Sequence, residues 1–210
     1  MNSIRLFEVG GSIRDELMGV HSDDRDFCAV STNGWSGLLA WCTENMEKIF
    51  QVKPEFFTIR GNINGDIIDI VMCRKDGEST DGRHPDSVEP GTLLDDLSRR
   101  DFTINAMARE VSLETLEPIN TEDIIDPFAA QSDLKMRRLV SVGNAQDRFE
   151  EDKLRLIRSV RFMITKGLVP DSQLERMIAD HENWNAMMDT VSIDRVRCEL
   201  VKALSFNTAG

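Results

Sequence analysis

The segment RLFEVGGSIRDELMGVHSDDRDFCAV, residues 5–30, decides the fold. Residues 5–9 predict a short strand that stops at Gly10-Gly11. Residues 12–18 predict a helix with Ser12 as N-cap and Gly19 just past its end, and residues 25–31 predict a second strand. Two glycines between strand and helix let a ligand approach the backbone closely, and a helix start offers free N–H groups to an anion. Arg14, one turn into that helix, can add a charge-assisted contact. Asp24 and Asp26 are two residues apart on the second predicted strand, so the pleat turns both carboxylates to one face. Like charges held that close are unfavourable without a cation between them, and Mg²⁺ takes carboxylate and phosphate oxygens. Each piece alone has a plainer reading, as a tight strand–helix turn or a pair of solvated surface acids. Their succession at short distance is a phosphate-plus-metal arrangement. No EF-hand is expected, because the segment lacks the glycine and the further ligands of that loop.

Downstream, residues 34–49 predict a helix carrying Trp35 and Trp41. FFTIR (56–60) and DIIDIVM (66–72) flank GNING (61–65), which reads as a β-hairpin with a five-residue connection. From Asp76 to Gly91 the chain is polar and punctuated by Gly and Pro, and a mobile loop is expected. Residues 95–108 predict a helix, and Val111 to Leu139 a shorter mixed region. From Asp147 onward the apolar period is 3.6, predicting helices at about 148–165, 171–182 and 192–204. The expected class is α+β, with a catalytic lobe over 1–139 and a small all-helical lobe over 140–210.

The 210 residues are 40% hydrophobic, enough to bury a core, and no window approaches the ~18 apolar residues of a membrane helix. With no apolar run near the start, the expected location is cytoplasmic, with no membrane partner. Cys28, Cys42, Cys73 and Cys198 are widely spaced without a CxxC pair, which speaks for reduced structural thiols rather than zinc or disulfides. A net charge of −12 argues against a protein that coats nucleic acid. The average hides an asymmetry: between Lys135 and Lys166 nine Lys or Arg face four Asp or Glu. A basic patch on an acidic body suits one anionic ligand better than a long polyanion groove.

Two further places carry chemistry. Asp69 sits among isoleucines in DIIDIVM, where a charge is costly unless paired or ligated. It completes a three-carboxylate site if its strand neighbours the Asp24–Asp26 strand, and is otherwise an edge acid facing water. In EDKLRLIRSVR (151–161) a helix would make neighbours of Glu151, Asp152 and Arg155, continued by Arg158 and Arg161. An Asp beside an Arg braced by a Glu can read the pairing edge of a base. A solvent-exposed helix with stabilising ion pairs has the same pattern.

Together VGGSIRDELMG (9–19), DDRDFCAV (23–30), RRDFTINAMA (99–108), IIDPF (124–128) and FEEDKLRLIRSVRF (149–162) resemble the class II tRNA nucleotidyltransferases. These are the CCA-adding enzymes and their bacterial poly(A) polymerase relatives. VSIDRVRCELVKAL (191–204) is similar to the helical neck that follows in that family. The resemblance implies a polymerase-β-like head with a small mixed sheet, then a neck that selects the nucleotide. It implies Mg²⁺ on Asp24 and Asp26, with Asp69 at the third carboxylate position. Gly10, Gly11, Arg14 and Arg100 would hold the incoming nucleotide, and Asp101 and Asn105 would position Arg100 and the sugar. Asp152 and Arg155 would read the base of CTP or ATP with Glu151 bracing, and Arg158 and Arg161 would complete the site. The implied acceptor is a tRNA 3′ end, the implied reaction addition of C and A by two-metal-ion catalysis. Lys153 stands where many relatives have Pro or a small residue. Typical members continue into body and tail helices that hold tRNA, whereas this sequence reads as head and neck only. Another RNA acceptor, a nucleotide sensor without transfer, and a homo-oligomer that supplies RNA-holding surface remain open.

Overall fold

The computed structural model describes residues 3–22, 24–76 and 88–206. Strand β1 (Ile4–Val9) runs through Gly10 into helix α1 (Gly11–Leu17). Gly10 has φ 82°, and a Cβ there would lie 2.6 Å from Arg100 Nη1, so this turn accepts only glycine. The Gly10 carbonyl already accepts from Arg14 N at 3.2 Å. The helix therefore begins one residue earlier than expected, with Ser12 inside it and Gly10, not Ser12, as its N-cap.

Strand β2 (Asp26–Ser31) leads to α2 (Gly34–Asn45), which stops four residues short of expectation. Asn45 turns its side-chain amide back onto Trp41 O at 2.8 Å, Met46 is extended, and the chain enters an unanticipated strand, β3 (Lys48–Lys53). Strands β4 (Thr58–Ile63) and β5 (Asp66–Met72) form the expected hairpin, but the connection is two residues, not five. Asn64 and Gly65 both have positive φ, the type I′ geometry that matches strand twist. Strand β6 (Arg74–Asp76), which meets the expected loop only at Asp76, pairs with β7 (Val88–Pro90) inside that loop; the loop's residues 77–87 lie outside the described ones.

The helix expected over 95–108 is a correction. Helix α3 (Leu93–Ser98), closed by a Thr92–Asp95 capping box, ends where Asp101 Oδ1 takes the N–H of Phe102 and the amide of Asn105, both at 2.9 Å. Local side-chain bonds of this kind compete with the helix ladder. A short 3₁₀ turn follows, then β8 (Ala108–Val111), β9 (Ile124–Ile125), α4 (Ala130–Lys135) and β10 (Arg138–Leu139). The helix expected at 148–165 is two, α5 (Ala145–Glu151) and α6 (Arg155–Lys166), separated by extended Asp152, whose carboxylate accepts from Leu154 N at 3.1 Å. Strand β11 (Val169–Pro170) pairs with β10. Helix α7 (Ser172–Ala179) ends early because Asp180 caps α8 (His181–Thr190), which the periodicity did not separate; α9 (Ile193–Leu204) closes the described chain.

The main sheet has the order β3-β4-β5-β2-β1-β8-β9, with β2 and β5 parallel and its other pairs antiparallel. One face packs Leu6, Phe27, Ile59 and Ile70 against Leu38 and Cys42 of α2. The other packs Phe7, Cys28 and Ala108 against Leu97 of α3. A third core joins Phe102, Ile104 and Leu139 to Phe149, Leu156, Phe162 and Leu174 of the helical region. The RRDFTIN segment is thus wedged between sheet and helices. No helix of the described residues is long and apolar enough to cross a membrane.

Candidate active site

Register places the first set of candidates. Val9 pairs with Asp26, Asp26 with Asp69, and Asp69 with Arg60, so one row crosses four adjacent strands. Strand neighbours in register share a face, so the Asp26 and Asp69 side chains stand together beside the turn at Gly10. Asp24 lies two residues before β2 rather than on it, and lines the same cavity of about 510 Å³ with Asp26, Asp66, Asp69 and Arg60. Asp24 and Asp26 make no hydrogen bond or ion pair among the described residues, and Arg60 reaches Asp69 at 3.2 Å. Burial raises the Asp26 carboxyl above its ordinary value; Asp24 and Asp69 push it further, and Arg100 opposes them. Among the described residues no three His, Cys, Asp or Glu side chains converge tightly enough to cage an ion by themselves.

Above the row, Arg100 donates to Asn105 O and to Asp96, each at 3.1 Å, while its buried Nε has no partner among the described residues. Arg14 is clamped by both oxygens of Asp15 at 2.9 Å and donates to Asn105 Oδ1. Gly11 sits against the Arg14 guanidinium. Asp101 is buried, and desolvation works against its charge. Arg158, at 2.6 and 2.9 Å, and the Asn105 amide outweigh it and hold the carboxyl at about 2. The same pairing with Asp101 raises the Arg158 guanidinium further. Phe162 lies beneath three guanidinium groups, Arg161 at 4.2 Å, Arg14 at 5.2 Å and Arg158 at 5.7 Å, joining α1 to α6.

The EDxxR residues are arranged differently from the expectation. Arg155 does bond Glu151 Oε2 at 2.8 Å, and also donates to the carbonyls of Arg99 (2.8 Å) and Arg148 (2.9 Å). The Asp152 carbonyl accepts from Arg155 N at 3.0 Å, but its carboxylate makes no bond to the Arg155 guanidinium. The break between α5 and α6 turns its Oδ2 to Arg195 of α9, 3.0 Å away. Arg161 bonds Glu199 of α9, which also faces Arg158 at 3.5 Å. Gly10, Gly11, Arg14, Arg100, Asp101, Asn105 and Arg158 are therefore tied into one network, whereas Asp152 and Arg161 are tied to α9.

Sequence reasoning missed Asp96, Arg148, Arg195 and Glu199. Glu199 is 4% exposed and Asp96 fully buried, between two arginines each. For Asp96 the i,i+3 and i,i+4 spacing to Arg99 and Arg100 was a signal. For Glu199 the only hint was an acid on the apolar side of a predicted helix.

The model of the poly(A) polymerase head domain matches residues 6–140. A CCA-adding enzyme of Oceanobacillus iheyensis is 34% identical over 203 residues, covering 96% of this chain and 46% of that protein. The crystal structure of the Bacillus stearothermophilus CCA-adding enzyme in complex with CTP has TM-score 0.76 at 27% identity, covering 96% of this chain and 45% of that one. The Thermotoga maritima CCA-adding enzyme complexed with tRNA has TM-score 0.74 at 25% identity, covering 98% and 44%. The chain spans a little under half the length of the curated relatives it matches.

Proposed function

The chain belongs to the poly(A) polymerase head-domain family, and from that premise we propose that it is a template-independent RNA nucleotidyltransferase. The reaction is addition of C and A, from CTP and ATP, to the 3′ end of tRNA. The observation that carries this reading is the register row: Asp26 beside Asp69, with Asp24 in the same cavity, next to a glycine turn backed by Arg100. The relatives' complexes with CTP and with tRNA support the choice of substrates. Residues 1–139 form the catalytic head and 140–210 the nucleotide-selecting neck.

The residues fit a hard divalent ion. Among the described residues the Asp24 and Asp26 carboxylates have no ion-pair partner, and burial with the neighbouring Asp24 and Asp69 charges raises the Asp26 carboxyl. Mg²⁺ is characteristically bound by one or two carboxylates plus substrate phosphates rather than by an all-protein cage. Bound at Asp24 and Asp26, it would supply charge stabilisation at the α-phosphate and activation of the RNA 3′-hydroxyl. Asp69 adds a third carboxylate, positioned by Arg60. Arg100, with its unpartnered Nε, and Arg14, fixed by Asp15, hold the triphosphate beside the Gly10–Gly11 turn. Asp101 and Asn105 keep those arginines in place. Asp152 and Arg155 read the base, Arg195 orienting the first and Glu151 the second. Both bases present an exocyclic amine beside a ring-nitrogen acceptor, so one acceptor–donor pair serves C and A. Arg158 and Arg161, anchored on Glu199, close the site. With little covalent work for the protein, positioning dominates the rate.

The test incubates the purified chain with Mg²⁺, labelled CTP or ATP, and tRNA ending at the discriminator base, at C, or at CC. Ordered addition of C, C and A is expected. Tight nucleotide binding without transfer to any RNA would overturn the enzyme reading in favour of a sensor. Repeated A addition to unrelated RNA would replace the tRNA acceptor.

A further inference from the structure

A second cavity, of about 680 Å³, opens where the C-terminal ends of α1 and α6 meet α4. Its wall carries Lys135, Arg137 and Lys166 between the apolar side chains of Leu17, Leu134 and Leu168, and no acidic residue among the described ones lines it. In a chain of net charge −12 that is a local inversion of sign. Lys135 and Arg137 are exposed and make no ion pair or side-chain hydrogen bond among the described residues. Neighbouring cations are matched: Arg138 pairs with Asp133 at 2.6 Å, and Lys166 with Asp15 at 2.7 Å.

Arg137 follows the C-cap of α4 and has φ 54°, the left-handed conformation in which helices commonly end, and this turn sets where its side chain leaves the chain. Its N–H is bonded to Leu134 O at 3.0 Å and its carbonyl accepts from Val169 N at 2.8 Å. Its guanidinium lies over Gly167, 3.5 Å from where a Cβ would stand. Lys135 and Arg137 thus stand side by side at the end of α4 as two cations with no ion-pair partner among the described residues, a pair an anion would match.

We propose that this cleft holds the phosphate backbone of the RNA acceptor, Lys135 and Arg137 each meeting a phosphodiester and the apolar rim facing sugar or base. The inference rests on the RNA-acceptor reading above. Charge complementarity favours RNA over an acidic protein segment, because an open cleft with apolar walls and separated cations suits repeated phosphates interleaved with flat, weakly polar groups. The cleft is also joined to the nucleotide side. Lys166 shares Asp15 with Arg14, so RNA settling here lies one ion pair away from the guanidinium that faces Gly11.

The probe is a fluorescent RNA hairpin with a three-nucleotide single-stranded 3′ end, titrated with the whole chain across a salt series. Two variants are compared, Lys135→Glu/Arg137→Glu and Lys135→Gln/Arg137→Gly. The second removes charge while relieving the left-handed backbone, so it keeps or gains thermal stability. Both are expected to bind RNA about tenfold more weakly at low salt, with the slope of log K against log salt reduced by between about one and two. CTP and ATP affinity should stay within twofold of the parent. An unchanged RNA affinity and salt slope in the second variant would overturn the proposal. So would a parallel fall in CTP affinity, which would assign the cleft to free nucleotide phosphates. RNA binding and nucleotide addition are scored separately. A chain that adds nucleotides but binds RNA independently of the cleft overturns this inference alone. One that binds RNA through the cleft but never adds nucleotides overturns the transferase reading and leaves the cleft standing.

Discussion

The two charged regions of the candidate site differ in how their charges are satisfied. Around the register row, Asp24 and Asp26 have no partner among the described residues, and mutual repulsion with burial raises the Asp26 carboxyl. Between α3, α6 and α9 the reverse holds: Asp101, Arg158, Glu199, Asp152 and Arg195 are paired with one another. The first region stores unfavourable electrostatics that a cation would relieve. The second uses charge to fix the arrangement of the helices against the RRDFTIN segment. Paired and unpaired acids a short way apart should therefore answer mutation in opposite currencies, activity in one and stability in the other.

The largest expected effect is Asp24→Ala. Nucleotide transfer should fall by at least about 10²–10³-fold, the scale of losing one preorganised electrostatic group, while the thermal midpoint is unchanged or raised. Retained incorporation by this variant would refute its assignment as a metal ligand. Next comes Asp101→Asn, which leaves Arg158 only Glu199, 3.5 Å away, as a buried counter-charge and should cost about 3 kcal/mol in urea unfolding. Loss of stability below about 1 kcal/mol would erase the contrast between the regions.

Acid sharpens the same comparison. The Asp101 carboxyl titrates at about 2 in the fold and near 3.9 in an unfolded chain. Its contribution, about 2–3 kcal/mol, is complete above about pH 5 and is lost as pH falls toward 2. Asp15 and Asp96, also lowered, act in the same direction. Unfolding of the parent should become easier through that window, and Asp101→Asn should flatten the dependence. The smallest effect is Arg60→Gln. Its pair with Asp69 is half exposed, so stability should change by less than about 0.5 kcal/mol. A larger loss would mean that the carboxylate row also braces the sheet.

The order of elements from β1 to the β4–β5 hairpin, apart from strand β3, was legible because strand alternation, glycine turns and an Asn-Gly corner are local signals. The same locality gave Asp24, Asp26 and Asp69 as candidates. It did not say that β5 lies parallel beside β2, which is what brings Asp69 to Asp26. The helix expected over 95–108 failed because Asp101 and Asn105 spend their hydrogen bonds on each other and on nearby backbone. Apolar spacing through Leu154, Ile157 and Val160 concealed the break at Asp152 in the same way: periodicity records which face is buried, not whether the ladder continues.

From the sequence alone came the α+β class, the glycine turn, and the residue types that can hold phosphate and a divalent ion. Each rests on interactions within about four residues or on a repeating period. Only the tertiary structure decided that Asp26, Asp69 and Arg60 form one row, that Asp152 answers to Arg195, that Glu199 anchors two arginines, and that Lys135 and Arg137 face an open cleft without a counter-charge among the described residues. Those facts depend on which distant segments share a surface, and the pairing of a charge is fixed by the neighbour the fold brings to it, not by the residues beside it in the chain.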